Sequence, residues 1–433
     1  MKRIFLLVAM LTGLAVAFGA GANQRGMVNG LLVKDGHTVF PIGIYEMPKT
    51  DVELRTMAKA GINLVMCRNK EDLDRANAAG MMGWVPLPLQ QADQEKIRQM
   101  VEADKDSPAL AVWEGPDELV WAFTAGSSLY KMGIHKAPGE WWVQAPEAVN
   151  YAREQAHKLI PQMIKNIRLV RSLDNSHRPV WMNEAARSDM KFIRDYIDHV
   201  DIIGCDIYPI HAGKHPMYPP SSIADFTNRY LSIGENRPVW MVLQGFAWGD
   251  LPGMTEQAAY PSFFETRLMA YAAIANGAKG VLYWGTHYLP SNSTGAEFRD
   301  SIYAMTSELA KLEPFLAAPE ETSVHVKLTE SKGRMRVGQR GVHWLARRSG
   351  SDWLIVLVNE DKHSHFGVEV EGLAGLNGRR LEQLYGNEND TVRQGEFITR
   401  LLPQEVKVFS TSRKWASAWQ KGRAFTDGQK SGM

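Results

Sequence analysis

The chain has 433 residues, of which 45% are hydrophobic and 22% charged, and its 49 basic and 48 acidic residues leave a formal net charge of +1. This length and composition suit a folded, enzyme-sized protein with one large domain and one smaller domain. The near-neutral charge, without a basic run, argues against nucleic acid as the main partner.

The N-terminus has the pattern of a secretory signal peptide over residues 1–22. Lys2 and Arg3 precede an apolar run over residues 4–18, and small residues with an A-x-A-like exit at Ala20 and Ala22 follow. A membrane anchor is the less favoured alternative, because the run is shorter than the ~20 residues that a spanning helix needs. We therefore expect a periplasmic or secreted protein without stable membrane insertion after cleavage.

Residues 23–315 predict a (β/α)8 barrel. Short apolar runs alternate with segments of helical spacing, as in a barrel of buried parallel strands. A doubly wound sheet is disfavoured, because residues 45–48 supply no Gly-rich phosphate loop after the first strand. The predicted strands are residues 41–45, 62–67, 84–87, 109–113, 179–182, 201–208, 239–243 and 280–284. The predicted helices are residues 50–60, 72–79, 148–173, 188–199, 222–233, 257–276 and 296–311.

After a change of pattern near residues 314–319, apolar and polar residues alternate in short runs. This alternation is typical of antiparallel strands, and it predicts a β-sandwich over residues 320–411, followed by a poorly ordered tail over residues 412–433. The predicted strands are residues 324–328, 342–347, 353–359, 366–370, 381–385 and 406–410.

Cysteine and histidine patterns indicate neither a disulfide nor a metal. Cys67 and Cys205 fall on the second and sixth predicted strands, on opposite sides of the barrel, which is too far apart for a bridge. No cluster has zinc spacing and no calcium loop is present in the sequence. We expect two buried thiols and no cofactor.

Carboxylates follow three neighbouring predicted strands, at the end of the barrel where active sites lie. Asp117 and Glu118 follow the fourth strand, Glu184 follows the fifth, and Asp206 ends the sixth. Convergent carboxylates separate into a proton donor and a base, because repulsion and burial move their pKa values apart, and glycosidic bond cleavage needs such a pair. The alternatives are structural: Glu118 begins a helix, Glu184 pairs with a nearby arginine, and Glu114 caps the turn.

Aromatic residues are dense near the same end of the barrel. Sugar rings pack their apolar faces on aromatic rings, so this composition suits a saccharide cleft. The alternative is that many of these rings only pack the loops on the barrel; Trp248 and Trp284 are the strongest candidates for contact with substrate. The rings are Trp121, Phe123, Tyr130, Trp141 and Trp142 after strand four, and Trp248, Tyr283, Trp284, His287 and Tyr288 after strands seven and eight.

Residues 40–45, the Asp117-Glu118 loop, residues 201–209 and Tyr283-Trp284 resemble clan A glycoside hydrolases, closest to their uncharacterised bacterial relatives, over roughly residues 30–315. The resemblance implies that Glu118 is the acid/base, with Asp117 where an asparagine commonly stands. It also implies the substrate-binding roles of Arg68, Tyr208 and Trp284. Tyr45, Asn183, Gln244 and His287 are expected to line the remaining subsites.

The seventh strand departs from that family, because Gln244 stands where the nucleophilic glutamate is expected. Three alternatives remain. Glu118 acts with Asp206 or Glu184 as base in an inverting mechanism, which needs a carboxyl separation of about 6.5 to 9.5 Å. Asp117 and Glu118 act as in substrate-assisted N-acetylhexosaminidases, with Gln244 holding the acetamido group. Or the chain is a carbohydrate-binding protein that lost catalysis. We expect an exported, cofactor-independent glycoside hydrolase with a carbohydrate substrate.

Overall fold

The computed structural model describes residues 26–137, 139–212, 218–333 and 341–418. The predicted signal peptide and residues 419–433 of the predicted tail lie outside the described residues. The described chain begins with a small antiparallel sheet that the sequence analysis did not predict: β1 (Met27–Val28), β2 (Leu31–Lys34) and β3 (His37–Val39). Met27 and Leu32 of this sheet pack into the apolar interior of the barrel.

Eight parallel strands close into a barrel, which confirms the predicted fold class. The strands are almost wholly buried, as expected for apolar runs covered on both faces, and the circle closes where Leu282 pairs with Gly43. The strands are β4 (Ile42–Ile44), β5 (Leu64–Met66), β6 (Met82–Pro86), β7 (Leu110–Glu114), β8 (Val180–Ala185), β9 (Ile202–Asp206), β10 (Val239–Gln244) and β11 (Gly280–Trp284).

Three fully buried tryptophans, Trp84, Trp181 and Trp240, fill the interior of the barrel. The Trp84 and Trp181 ring centroids lie 5.7 Å apart, and those of Trp181 and Trp240 lie 5.1 Å apart. Glycine on a neighbouring strand makes room for the largest side chain, because a Cβ on Gly280 would lie 2.7 Å from the Trp240 ring. The barrel is therefore a packed core, and ligands are confined to its ends.

Helices surround the barrel, and their caps explain where they begin. Thr50 and Ser262 each form a capping box, so the helix predicted from residue 257 begins after Ser262. The helix at residues 94–104 was not among those predicted. The helices are α1 (Asp51–Lys59), α2 (Lys70–Ala78), α3 (Gln94–Asp104), α4 (Leu119–Thr124), α5 (Ser127–Lys131), α6 (Pro146–Leu173), α7 (Met190–Arg194), α8 (Ser222–Gly234), α9 (Phe263–Ala275) and α10 (Ser293–Leu316).

Among the residues that the structure describes, no helix combines the length and apolar character needed to span a bilayer. Cys67 and Cys205 are buried free thiols, as expected. The predicted helix over residues 188–199 divides into α7 and a 3-10 turn at Ile197–His199.

Two antiparallel sheets form the C-terminal domain, in the orders β12-β15-β18 and β13-β14-β19-β16-β17. The sandwich confirms the predicted architecture, although strands β17 and β18 were not predicted. The strands are β12 (His325–Lys332), β13 (Val342–Ser349), β14 (Asp352–Asn359), β15 (His365–Glu371), β16 (Arg380–Gln383), β17 (Asn389–Thr391), β18 (Phe397–Leu401) and β19 (Val406–Ser410).

The five-stranded sheet packs directly on the barrel helices. Alternate residues of β14, Leu354 and Val356, join the barrel core, while Ile355 between them joins the core of the sandwich. Beyond β19, the Trp415 ring packs 4.8 Å from that of Phe315 in α10. The folded part of the chain therefore extends beyond Thr411, into the segment that was predicted as a tail.

Candidate active site

The loop after β7 carries the central carboxylates and is attached to strand β8. Glu118 has φ 48° and ψ 39°, a left-handed conformation that is uncommon outside glycine, and its N–H donates to the carbonyl of Asn183 at 3.0 Å. Gly115 lies so close to β8 that a Cβ would stand 2.1 Å from the Met182 sulfur. The loop conformation is thus fixed by contacts on both sides of Asp117.

Asp117 lies at the floor of a cleft of ≈510 Å³ that Tyr45, Glu114 and Trp284 also line. Its Oδ1 accepts a hydrogen bond from Nδ2 of Asn183 at 2.9 Å. The side chain is accessible to solvent, yet the protein surrounds it on most sides, and this enclosure raises the pKa of Asp117. Asp117 is therefore held in one orientation and remains available to a ligand.

The carboxyl groups of Glu118 and Asp206 lie close enough to interact directly, and the Tyr208 side chain lies beside Asp206. Burial and the neighbouring Asp117 charge raise the pKa of Glu118 to about 7, while the hydrogen bond from Asp206 acts in the opposite direction. Burial, with the charges of Glu118 and Asp117, raises the pKa of Asp206 well above its ordinary value. The neutral form of Asp206 is therefore favoured beside Glu118.

This arrangement does not support the predicted role of Asp206 as the base of an inverting reaction. Inversion needs a water between carboxyl groups about 6.5 to 9.5 Å apart, whereas Glu118 and Asp206 lie close enough to interact directly. The raised pKa of Asp206 also favours its neutral form, which cannot act as a general base. Asp206 instead orients the Glu118 carboxyl group.

Glu184 is fully buried, and its carboxylate is occupied by protein donors. It accepts hydrogen bonds from the Val120 N–H at 3.0 Å, Ser188 Oγ at 2.7 Å and Tyr196 OH at 2.9 Å. Burial raises the pKa of Glu184 to about 7. Glu184 holds the first turn of α4, directly after Glu118, and these contacts favour an anchoring role over the predicted catalytic one.

Gln244 is also fully buried, and its amide binds backbone rather than facing the cleft. Nε2 donates to the carbonyls of Ile210 at 2.9 Å and Phe246 at 3.1 Å, and Oε1 accepts from the Ile210 N–H at 2.9 Å. These bonds join the loops that follow β9 and β10. The predicted contact of Gln244 with substrate is not possible in this structure, because both amide hydrogens are in use.

An aromatic wall stands beside Asp206. The Tyr208 and Trp284 rings stack with centroids 5.4 Å apart and planes at 24°, and the Trp248 ring is 6.2 Å from Tyr208 in an edge-on arrangement. Trp248 Nε1 donates to the Tyr208 carbonyl at 3.2 Å, and Phe246 packs against all three rings. The structure therefore brings these three predicted residues together as an apolar surface.

Glu114 belongs to the same cleft, although the sequence analysis gave it only a role in the turn. Its Oε2 accepts from Trp84 Nε1 at 2.9 Å, and the Tyr45 side chain lies beside the same carboxyl group. Burial and the Asp117 charge raise the pKa of Glu114 well above its usual range. The raised pKa favours the neutral form of Glu114, which can donate a hydrogen bond in the cleft. The signal in the sequence was the position of Glu114 at the last residue of β7.

Arg68 and His287 lie outside this group. Arg68 is exposed, and it is not among the side chains that line the cleft. The Nδ1 atom of the half-exposed His287 lies 3.1 Å from Oε1 of Glu46, which also accepts from the Gly285 N–H at 2.7 Å. Glu46 thus joins the loops after the first and last barrel strands, and His287 pairs with it.

The aromatic insertion after β7 is divided between packing and surface. Phe123 packs edge-on against Phe192 of α7 with ring centroids 5.4 Å apart, and Trp141 lies 6.3 Å from the same ring. Trp142 remains 44% exposed. Phe123 and Trp141 are buried, and so they pack the insertion on the barrel, as the alternative to substrate contact predicted.

Within the described ranges, one group of carboxylates is close enough to share a cation: Glu369, Glu371 and Glu396 in the sandwich. Lys327 already pairs with Glu371. This cluster lies in the C-terminal domain and takes no part in the barrel site.

No protein-family profile matches the chain, and no curated protein matches it. Among solved structures, the chain is similar to a protein described as a glycoside hydrolase, at 12% identity over 88% of this chain and 95% of the other, with a TM-score of 0.53. It is also similar to a family 5 glycoside hydrolase from Bacteroides vulgatus, at 13% identity over 92% and 96%, with a TM-score of 0.52. It spans 60% of a β-galactosidase from Marinomonas ef1, at 15% identity over 63% of this chain, with a TM-score of 0.44. At these identities the similarity to the first two structures shows the fold alone, a (β/α)8 barrel with a C-terminal β-domain.

Proposed function

We propose that the chain is a glycoside hydrolase in which Glu118 is the general acid. The observation that carries this proposal is the close pair of Glu118 and Asp206 carboxyl groups beside the accessible carboxyl group of Asp117. A carboxyl group with a pKa of about 7 is protonated in a useful fraction at neutral pH, as a general acid must be. The descriptions of the structural neighbours as glycoside hydrolases support the same class of reaction.

We further propose that the substrate supplies the nucleophile. Gln244 and Glu184 are buried and bound to other groups, and Asp206 is in contact with Glu118, so none of them is placed to attack the anomeric carbon. A 2-acetamido group on the sugar can attack through its carbonyl oxygen. Asp117, fixed by Asn183 and facing the cleft, is placed to accept the amide N–H and orient that group.

The proposed reaction has two steps. In the first, the acetamido oxygen bonds to C1 as the bond from C1 to the leaving oxygen breaks, and Glu118 gives its proton to the leaving oxygen. The Asp117 carboxylate stabilises the positive charge that forms on the amide nitrogen. In the second, water attacks C1, the bond from C1 to the acetamido oxygen breaks, and the Glu118 carboxylate accepts the proton of the water. Two displacements at C1 retain the anomeric configuration.

The aromatic wall of Tyr208, Trp248 and Trp284 suits such a substrate. Its rings offer apolar surface to a sugar face or an acetamido methyl group. Glu114 and Asn183 supply polar groups on the other side of Asp117. No metal or cofactor enters these steps. We also propose, from the N-terminal pattern of residues 1–22, that the enzyme acts outside the cytoplasm.

The alternative that catalysis has been lost depends on the interpretation that Gln244 replaced a nucleophilic glutamate. Because its amide joins two loops, Gln244 has a structural reason to be glutamine and is no evidence for lost chemistry. The inverting alternative lacks a base with room for water. Neither alternative is favoured by a specific contact.

A panel of aryl glycosides tests the proposed function. We expect hydrolysis of 1,2-trans 2-acetamido-2-deoxyhexosides, little or no hydrolysis of the matching 2-hydroxy sugars, and a loss of about 10² to 10⁴-fold for Glu118→Gln on substrates with poor leaving groups. Glu71→Gln makes the same chemical change at an exposed residue of α2 and is the matched control. Equal turnover of both sugar types, or full activity of Glu118→Gln, would contradict the proposal.

A further inference from the structure

A second groove, of ≈710 Å³, lies between the insertion after β7 and the loop after β8. We call it the basic groove. Its volume falls in the usual range of ligand sites, about 300 to 1,000 Å³. None of the side chains that line this groove also lines the active-site cleft. Its walls are formed by Trp142, Arg187, Asp189, Lys191, Arg194 and Arg229.

The groove is strongly cationic although the chain is almost neutral. Arg187, Lys191 and Arg194 are exposed, and Arg229 is half-buried. The carboxylate of Asp189 is used to cap α7, since it accepts from the Lys191 N–H at 2.8 Å. A weak contact of 3.7 Å joins Arg194 to Glu235 outside the groove. Most of the positive charge in the groove is thus available to an anionic ligand.

Two of the cations are held in place before any ligand binds. The Arg187 guanidinium lies 4.0 Å from the centre of the Trp142 ring, and Trp142 itself packs against Trp121 with centroids 6.0 Å apart. Arg229 donates from Nη2 to the Ser188 carbonyl at 2.8 Å. Fixing these side chains in advance lowers the entropy that binding would cost. A planar guanidinium in a fixed orientation suits carboxylate or sulfate oxygens.

We propose that the basic groove binds an acidic saccharide chain, one that carries uronate carboxylates or sulfate esters. The saccharide nature of the ligand rests on the proposed function; the anionic character follows from the groove alone. Nucleic acid fits less well, because specific DNA interfaces cover at least about 600 Å² with phosphate contacts spread along them, whereas these cations are confined to one groove.

The groove and the active site share a structural support. Ser188 donates through Oγ to Glu184 at 2.7 Å, and its carbonyl accepts from Arg229. Glu184 also holds the Val120 N–H, two residues after the proposed acid. The groove therefore lies on the outer side of the loop that positions Glu118, where it is placed to bind a part of the glycan away from the bond that is cleaved.

Affinity electrophoresis and calorimetry on the full chain carrying Glu118→Gln test the proposal. The probes are polygalacturonate, dextran sulfate, neutral dextran and a DNA duplex. We expect binding of one or both acidic polysaccharides and not of neutral dextran. Carboxylate and sulfate recognition are distinguished by which of the two polymers binds.

The variants are the double substitution Arg187→Ala with Lys191→Ala and a control on the outer face of α6, Lys165→Ala with Arg168→Ala, where both residues are also exposed. We expect the groove variant to lose about tenfold in affinity, a loss of about 1.4 kcal/mol, and the control to bind as the parent does. Both doubles should retain the circular dichroism spectrum of the parent, because the changes lie on the surface.

Three results would overturn the proposal: no binding of either acidic polymer, binding that the groove variant does not weaken, or DNA binding as tight as that of the acidic polymers. These results are distinct from failure of the proposed function, since binding is measured with the acid removed. An inert wild-type chain that still binds acidic polymer through Arg187 would reject the hydrolase and keep the groove.

Discussion

Substitution of Gln244 by glutamate tests whether this residue is a structural link or a lost nucleophile. If the position faced substrate, a carboxylate there would restore a retaining site. In the structure, both Nε2 hydrogens are donated to carbonyls of neighbouring loops, at Ile210 and Phe246. We therefore expect Gln244→Glu to lower stability and to bring no new hydrolytic activity.

The expected decrease in the free energy of unfolding follows from the hydrogen bonds that Gln244→Glu removes. An ionised carboxyl group leaves the Ile210 and Phe246 carbonyls unpaired in a buried place, and each unpaired group costs about 1 to 3 kcal/mol, or about 2 to 6 kcal/mol together. When the introduced carboxyl is protonated, its O–H can serve one carbonyl, and the cost falls to about 1 to 3 kcal/mol. Burial raises the pKa of the introduced group in the folded state, so the stability deficit should grow as the pH rises through that pKa.

Urea unfolding followed by tryptophan fluorescence at pH 5 and pH 8 measures both effects. Gln91→Glu makes the same chemical change at an exposed turn position and is expected to stay within about 0.5 kcal/mol of the parent. A Gln244→Glu chain that unfolds like the parent and gains retaining hydrolysis of 2-hydroxy aryl glycosides, which the parent is not expected to cleave, would refute the structural role of Gln244.

Three further predictions concern the site and the domain contact. Asp117→Asn removes a charge that raises the pKa of Glu118, so the decrease of kcat/KM at high pH should move to lower pH. An unchanged pH profile would contradict this electrostatic account. Glu184→Ala should lower the free energy of unfolding by about 3 kcal/mol or more, because buried donors lose their acceptor, whereas Ser188→Ala should cost about 1 kcal/mol; equal costs would count against the anchor role. Trp415→Ala should lower the thermal midpoint more than Lys414→Ala, because the Lys414 side chain is 62% exposed.

The barrel was predictable from the sequence because its eight strands are short apolar runs and fully buried strands need no polar face. Strands β17 and β18 were missed, since Asn389–Thr391 carries no apolar run and Phe397–Leu401 alternates over only five residues. The helix Gln94–Asp104 was missed because charged residues dominate it and few of its positions are buried. Periodicity predicts elements where burial is extensive and fails where it is slight.

The sequence predicted which carboxylates come together, and it predicted less about their surroundings. Asp117, Glu118 and Asp206 lie together, because all carboxyl ends of a parallel barrel meet at one end. Sequence position gives no side-chain direction at a strand end, and so Glu184 and Gln244 were placed in the cleft although both are fully buried. The close approach of Glu118 and Asp206 depends on tertiary geometry that no local pattern carries.

The rate of hydrolysis of a series of aryl 2-acylamido-2-deoxyhexosides, in which the acetyl methyl group carries none, one, two or three fluorine atoms, tests the central claim most directly. Fluorine withdraws electrons from the amide carbonyl and weakens it as a nucleophile. If the substrate supplies the nucleophile, kcat/KM should fall steeply with each added fluorine, and the first product should keep its anomeric configuration. Rates that do not change along the series, or a product of inverted configuration, would contradict the account.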